Sequence, residues 1–77
     1  MSNELQWLST CGKPWAEQRA ALAMSIANSK ACEEISDSEY IELLNDLVRT
    51  DKLDAEADDL QIKTMLVNAI SIAAKLV

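Results

Sequence analysis

Residues 54–77 read DAEADDLQIKTMLVNAISIAAKLV, and the architecture follows from how that stretch has to be covered. From residue 64 onward its polar residues are Thr64, Asn68, Ser71 and Lys75, at spacings of four, three and four. On a helix these positions form one narrow stripe. The other directions belong to Ile62, Met65, Leu66, Val67, Ala69, Ile70, Ile72, Ala73, Ala74, Leu76 and Val77. At ~100° per residue the apolar arc spans about 240°, against roughly 100° for a helix on the surface of a globular domain. Such a helix must be wrapped on several sides. Either the rest of the chain covers it, or a second copy does so through Ile62, Leu66, Ala69, Ile70, Ala73 and Val77. With Asp51 or Asp54 as its cap, the segment predicts a helix over 54–77, about 36 Å long, central in a bundle or at an oligomer interface.

The remaining sequence is equally helical. One Gly and one Pro occur in 77 residues, both before residue 15, too few turn residues for a β-rich fold. A chain this short makes one domain and buries only about 60% of its unfolded surface, so its stability should be near 5 kcal/mol. Asn3 followed by Gln6 marks a helix start, with Trp7 and Leu8 as anchors and Gly12 as the stop. Pro14 suits the first position of a second helix, running to about Ala31. There Trp15, Leu22 and Ile26 share one side, and Ala16, Ala20, Ala23 and Ala27 line a strip beside it. Arg19, four residues after Trp15, is spaced for a cation–π contact.

Ser36 and Glu39 form a capping box at the head of a third helix that runs to Arg49, with Ile35 and Tyr40 as its apolar staple. Tyr40, Ile41, Leu43, Leu44, Leu47 and Val48 make its buried face. Glu39, Glu42, Asp46 and Arg49 make the opposite stripe. A short connection over 50–54 then predicts an antiparallel hairpin between the third helix and the last. The expected fold is all-α, a short N-terminal helix and three longer ones.

Charge is unevenly distributed. Residues 1–30 hold two acids and three bases, residues 31–60 eleven acids and two bases, and residues 61–77 two bases and no acid. A middle third of −9 within a net charge of −6 repels nucleic-acid phosphates and anionic lipid, and suits a basic protein surface. Glu42 and Asp46 are like charges one turn apart, which costs about 0.3 kcal/mol. A stripe that keeps this repulsion is a candidate partner-binding face, and Asp51, Asp54, Glu56, Asp58 and Asp59 extend it.

The chemistry available is limited. The chain has no His, which removes the commonest general base and the commonest metal ligand. Cys11 and Cys32 lie 21 residues apart and cannot supply the four ligands of a zinc site. The acids of 51–59 lack the Gly and the alternate ligand positions of a calcium loop. Residues 11–15, CGKPW, lack the second Cys of a redox pair. No catalytic group, cofactor or metal is expected. The start of the chain lacks the basic and apolar regions of a secretory signal, and no apolar run is long enough for a membrane span. Both observations predict a cytoplasmic protein with free thiols.

Asp37-Ser38-Glu39, at the head of an acidic amphipathic helix, resembles the acyl carrier proteins over about a third of the chain. Those are acidic four-helix domains of about this length, with Asp-Ser-Leu at the start of their second helix. The resemblance implies a phosphopantetheine arm on Ser38. Glu39 stands in place of the family's Leu, no Gly-Ala-type loop precedes Asp37, and residues 14–31 read as helix where the family has a long loop. Read from its own residues, Ser38 lies in the first turn after a cap.

The functional expectation is a non-enzymatic adaptor or inhibitor that engages a basic partner through its acidic middle third. Such chains are common among phage and accessory-element products. The alternative is a homo-oligomeric assembly subunit built on the last helix. Whether Trp7 and Trp15 are core or binding residues is open at this level.

Overall fold

The computed structural model describes the backbone of residues 3–49 and 51–75, and the side chains of all of these except Asn3, Asp51 and Lys52. The described chain is all-α: α1 (Asn3–Leu8), α2 (Pro14–Ala31), α3 (Asp37–Arg49), α4 (Asp51–Glu56) and α5 (Leu60–Ala74). The helix α5 lies against α1, α2 and α3, and its most extensive contact is with α3. This covers most of its broad apolar arc, with Ile72 left 52% exposed at the edge.

The C-terminal helix departs from the expectation in one respect. It does not run unbroken from residue 54. Asp51–Glu56 is a separate short helix, and α5 begins at Leu60 with Asp59 as its cap, not Asp51 or Asp54. The Asp59 side chain accepts a 3.0 Å bond from the Ile62 N–H. The physical reason is phase. Leu53 is buried in the same core as Leu66 and Ile70. On one straight helix Leu53 and Leu66 would point about 140° apart, so a break is needed for both to face inward. With 15 residues against 13 in α3, α5 also has none of the overhang that a 24-residue rod would have.

The helix α1 is anchored by Leu5 and Leu8, both fully buried. Trp7, read with Leu8 as an anchor of this helix, is 49% exposed. Helical spacing explains this, since residues 5 and 8 share a face that residue 7 does not. The chain then turns at Gly12, whose φ of +90° is open to glycine at little cost.

In α2 the alanine strip faces inward. Ala16, Ala20 and Ala23 are completely buried with Trp15, while Leu22 is exposed. Three neighbours pack on α2, namely α1, α3 and α5, and small side chains let their backbones approach. Of the face predicted through Trp15, Leu22 and Ile26, Trp15 is buried and Ile26 packs against the core, and only Leu22 is left outside.

The C-terminus of α2 closes in a Schellman arrangement: Glu34 N–H donates to Ser29 O at 2.9 Å and Glu33 N–H to Lys30 O at 3.0 Å. This puts Glu33 at φ +60°, the left-handed position that usually belongs to glycine.

At the head of α3 the capping box forms in both directions. Glu39 N–H donates to Ser36 Oγ at 3.2 Å, and Ser36 N–H to Glu39 Oε1 at 3.4 Å. Tyr40 follows, buried, and its hydroxyl donates 2.9 Å to the Ala73 carbonyl. That bond ties the first turn of α3 to the last turn of α5, as an antiparallel pair demands, and satisfies a carbonyl that a helix end leaves open. Burial holds the Tyr40 phenol above its ordinary pKa.

Two outcomes follow. Glu33→Gly should raise stability by about 1 kcal/mol by removing the left-handed strain, read as a higher urea midpoint with an unchanged slope. Tyr40→Phe should lower it by about 1 kcal/mol. The folded protein holds the phenol proton more tightly than the unfolded chain. Its contribution is therefore complete below pH ~10 and lost as pH rises further, and Tyr40→Phe should flatten that alkaline loss in thermal melts.

Candidate interaction surface

The acidic residues expected to act together divide into two groups. Those near the start of α5 are engaged within the chain. Asp54 binds Lys63 of α5. Glu56 Oε2 meets Arg19 Nη1 at 3.1 Å. Asp58 Oδ1 accepts from the Trp15 indole Nε1 at 3.2 Å and lies 3.2 Å from Lys13 Nζ. Asp59 caps α5. The indole bond, followed by Lys13, holds the Asp58 carboxyl below its usual pKa. The backbone of Asp51 lies in α4, and its side chain is outside the described set. The cluster predicted as one binding face thus acts largely as a set of internal staples between 54–59 and helices α2 and α5. Asp59 and Lys63 have the acid-before-base, four-residue spacing of a helical ion pair, which predicts a pair between them; in the structure Lys63 pairs with Asp54 instead.

Arg19 joins most of these parts. Its side chain is only 12% exposed. Nε donates to Leu47 O at 3.2 Å, and Nη1 to Trp15 O at 3.0 Å as well as to Glu56. One guanidinium therefore bridges α2, α3 and α4. The spacing suggested a stacking partner for Trp15; the bond is to its carbonyl. Sequence reasoning missed Lys13 and Arg19 as counterparts of the acids, and gave Lys63 the wrong partner. The available signal was the excess of bases on both sides of the −9 segment.

The second group is on α3. Glu39, Glu42 and Asp46 are all exposed. Glu39 is occupied in the capping box. Glu42 and Asp46 have no hydrogen bond or ion pair among the described residues. Asp37 at the head of the helix is paired, 2.7 Å from Lys30 Nζ, and this bond raises the Lys30 pKa. Leu43 is 40% exposed, at the positions one turn from Glu39 and Asp46 and next to Glu42. Its placement on the buried face was incorrect. The outer face of α3 is an apolar side chain rimmed by carboxylates, two of them unpaired.

The proposed oligomer face has a different fate. Leu66, Ala69, Ile70 and Ala73 are buried in the monomer's own core, Ile62 is half-buried, and Val77 lies outside the described residues. The open side of α5 is a shallow depression of about 290 Å³ lined by Leu60, Lys63, Thr64, Val67 and Asn68. Ser38 is exposed in the first turn of α3. Cys11 and Cys32 are free thiols. Among the described residues no three metal-ligating side chains come together, and no helix is long and apolar enough to cross a membrane. Comparison with protein-family models, with curated proteins and with solved structures finds no match for the chain.

The geometry ranks the contributions at Arg19. Two of its bonds go to backbone carbonyls, whereas Glu56 is half-exposed and its ion pair is weakened by solvent. Arg19→Ala should cost about 2 kcal/mol and Glu56→Gln less than about 1 kcal/mol. Urea unfolding of the two variants checks the order, and equal losses would contradict it.

Proposed function

We propose that the chain is a small, non-enzymatic protein–protein interaction module, an adaptor or inhibitor, that engages a basic partner through the outer face of α3. Glu42, Asp46 and Glu39 supply the charge, and Leu43 the apolar contact between them. The observation that carries this reading is a pair of carboxylates without a cation among the described residues, beside an exposed leucine, Leu43. Asp37, Asp54, Glu56 and Asp58 each have a cation within the chain. Glu42 and Asp46, one turn apart on the same helix, have none among the described residues. Their mutual repulsion, about 0.3 kcal/mol, is relieved when a cationic surface approaches. Unpaired carboxylates also steer a basic partner over distances of about a Debye length, near 10 Å at moderate salt. Leu43 then gives the contact a short-range, salt-independent component.

The same charge disfavours direct binding to nucleic acid or to anionic membranes. It suits a partner whose own basic surface would otherwise meet such a polyanion, and this is how a small acidic inhibitor would act. A reducing compartment such as the cytoplasm fits the two free thiols.

The test separates binding from folding. In Asp46→Lys the pair Glu42–Lys at i,i+4 becomes favourable, so the isolated protein should gain about 0.5 kcal/mol while it loses its partner. Capture of the partner from the native source should fall steeply with added salt and disappear with Asp46→Lys. Capture that is insensitive to salt, or that survives charge reversal at Glu42 and Asp46, removes the reading.

A further inference from the structure

Between α4 and α5 the chain leaves the helix at Ala57, Asp58 and Asp59. The local signal for this is a single one, the Asp59 cap on the Ile62 N–H. Neither Gly nor Pro occurs anywhere from residue 51 to residue 74, and taken alone the segment reads as one continuous helix. Beyond that cap, the break is held by groups elsewhere in the chain. Lys13 and the Trp15 indole hold Asp58, and Arg19 holds Glu56. All three holders are on or just before α2, some 37 to 45 residues away in sequence.

If these contacts are lost, the preference of the segment itself favours fusing α4 and α5. A fused helix cannot direct Leu53 and Leu66 into the same core, because they would point about 140° apart. With Leu53 keeping α4 in place, α5 is carried away from its own α1, α2 and α3. Its apolar face, Leu66, Ala69, Ile70 and Ala73, then has to be covered. The surface that fits it is the same α1–α3 surface of a second copy, vacated by the same movement. Short hinges of this kind are the usual sites of such exchange.

We infer that Ala57–Asp59 is a charge-held hinge, and that the chain exchanges α5 with a second copy when Glu56 and Asp58 lose the negative charge that binds Lys13, the Trp15 indole and Arg19. The exchange is closed and two-fold. Each contact of α5 in the monomer, including the Tyr40–Ala73 bond, is remade between subunits. Self-association through the last helix is then compatible with the burial of its apolar face. This inference is independent of the reading of α3.

The experiment compares Glu56→Gln/Asp58→Asn with the same protein carrying Leu60→Pro in addition. Leu60 is the first residue of α5 and is 77% exposed, so its side chain contributes little to the core. Asp59 before it is extended, at φ −135° and ψ 106°, close to the extended region that a following proline favours and away from the helical one it disfavours. Proline is therefore tolerated in the broken form. In a fused helix it would clash with the Glu56 carbonyl and delete a hydrogen bond.

Light scattering should show a twofold increase in mass for Glu56→Gln/Asp58→Asn, with helical circular dichroism retained. Adding Leu60→Pro should return the monomer mass. Hydrogen exchange gives a second reading. The amides at 58 and 59 make no backbone hydrogen bond to another described residue in the monomer, and should gain protection in the dimer. Three results overturn the inference: a folded monomer for Glu56→Gln/Asp58→Asn, a loss of its helical signal, or a dimer that persists with Leu60→Pro.

Discussion

Leu53 on α4 and Leu66 and Ile70 on α5 reach one core only because the helix between them is interrupted, and charges elsewhere in the chain hold that interruption in place. Without the break α5 could not lie between α1, α2 and α3 while Leu53 remains buried. The contacts at the break are individually modest. Glu56 and Asp58 are largely solvent-exposed, and exposed ion pairs contribute little each. Their effect is positional: they select which of two backbone paths the segment takes, and the buried face of α5 supplies the stabilisation.

The packing around α5 explains how a chain with no Phe and three aromatic residues makes a core. Alanines at 16, 20 and 23 remove bulk from α2, so that α1, α3 and α5 can approach it together. Leu5, Leu8, Leu44, Leu66 and Ile70 fill the space between them. The two buried aromatics each have a polar end with a partner, Trp15 on Asp58 and Tyr40 on Ala73. No buried side-chain polar atom among the described residues lacks a hydrogen bond, so the core carries no desolvation penalty of that kind.

The acids of the middle third fall into two sets that net charge alone conceals. The acids of 54–59 neutralise bases from the two flanking regions, and so act on the fold. The acids on the outer face of α3 are turned to solvent, and two of them have no counterpart among the described residues. Of the eleven acids of residues 31–60, Glu33, Glu34, Glu42 and Asp46 are exposed with no side-chain hydrogen bond or ion pair among the described residues, and the face proposed for a partner is the part of this set that surrounds Leu43.

The sequence by itself determined whatever depends on neighbours within a turn or two. The helical class, the Pro14 start, the turn at Gly12, the Ser36–Glu39 box and the many-sided burial of the last helix are all local, because each is a relation among residues three to eight apart. Even Leu5 in place of Trp7, and the alanine strip in place of Leu22, were visible as periodicities, though not as choices between faces. Tertiary structure alone decided the break at 57–59, the partners of Asp54, Glu56 and Asp58, the bridging role of Arg19 and the exposure of Leu43. Most of these depend on groups brought together from distant parts of the chain, and even the nearby Asp54–Lys63 pair depends on the break between its partners. Such contacts exist only once the chain is folded, and no local preference for helix encodes them.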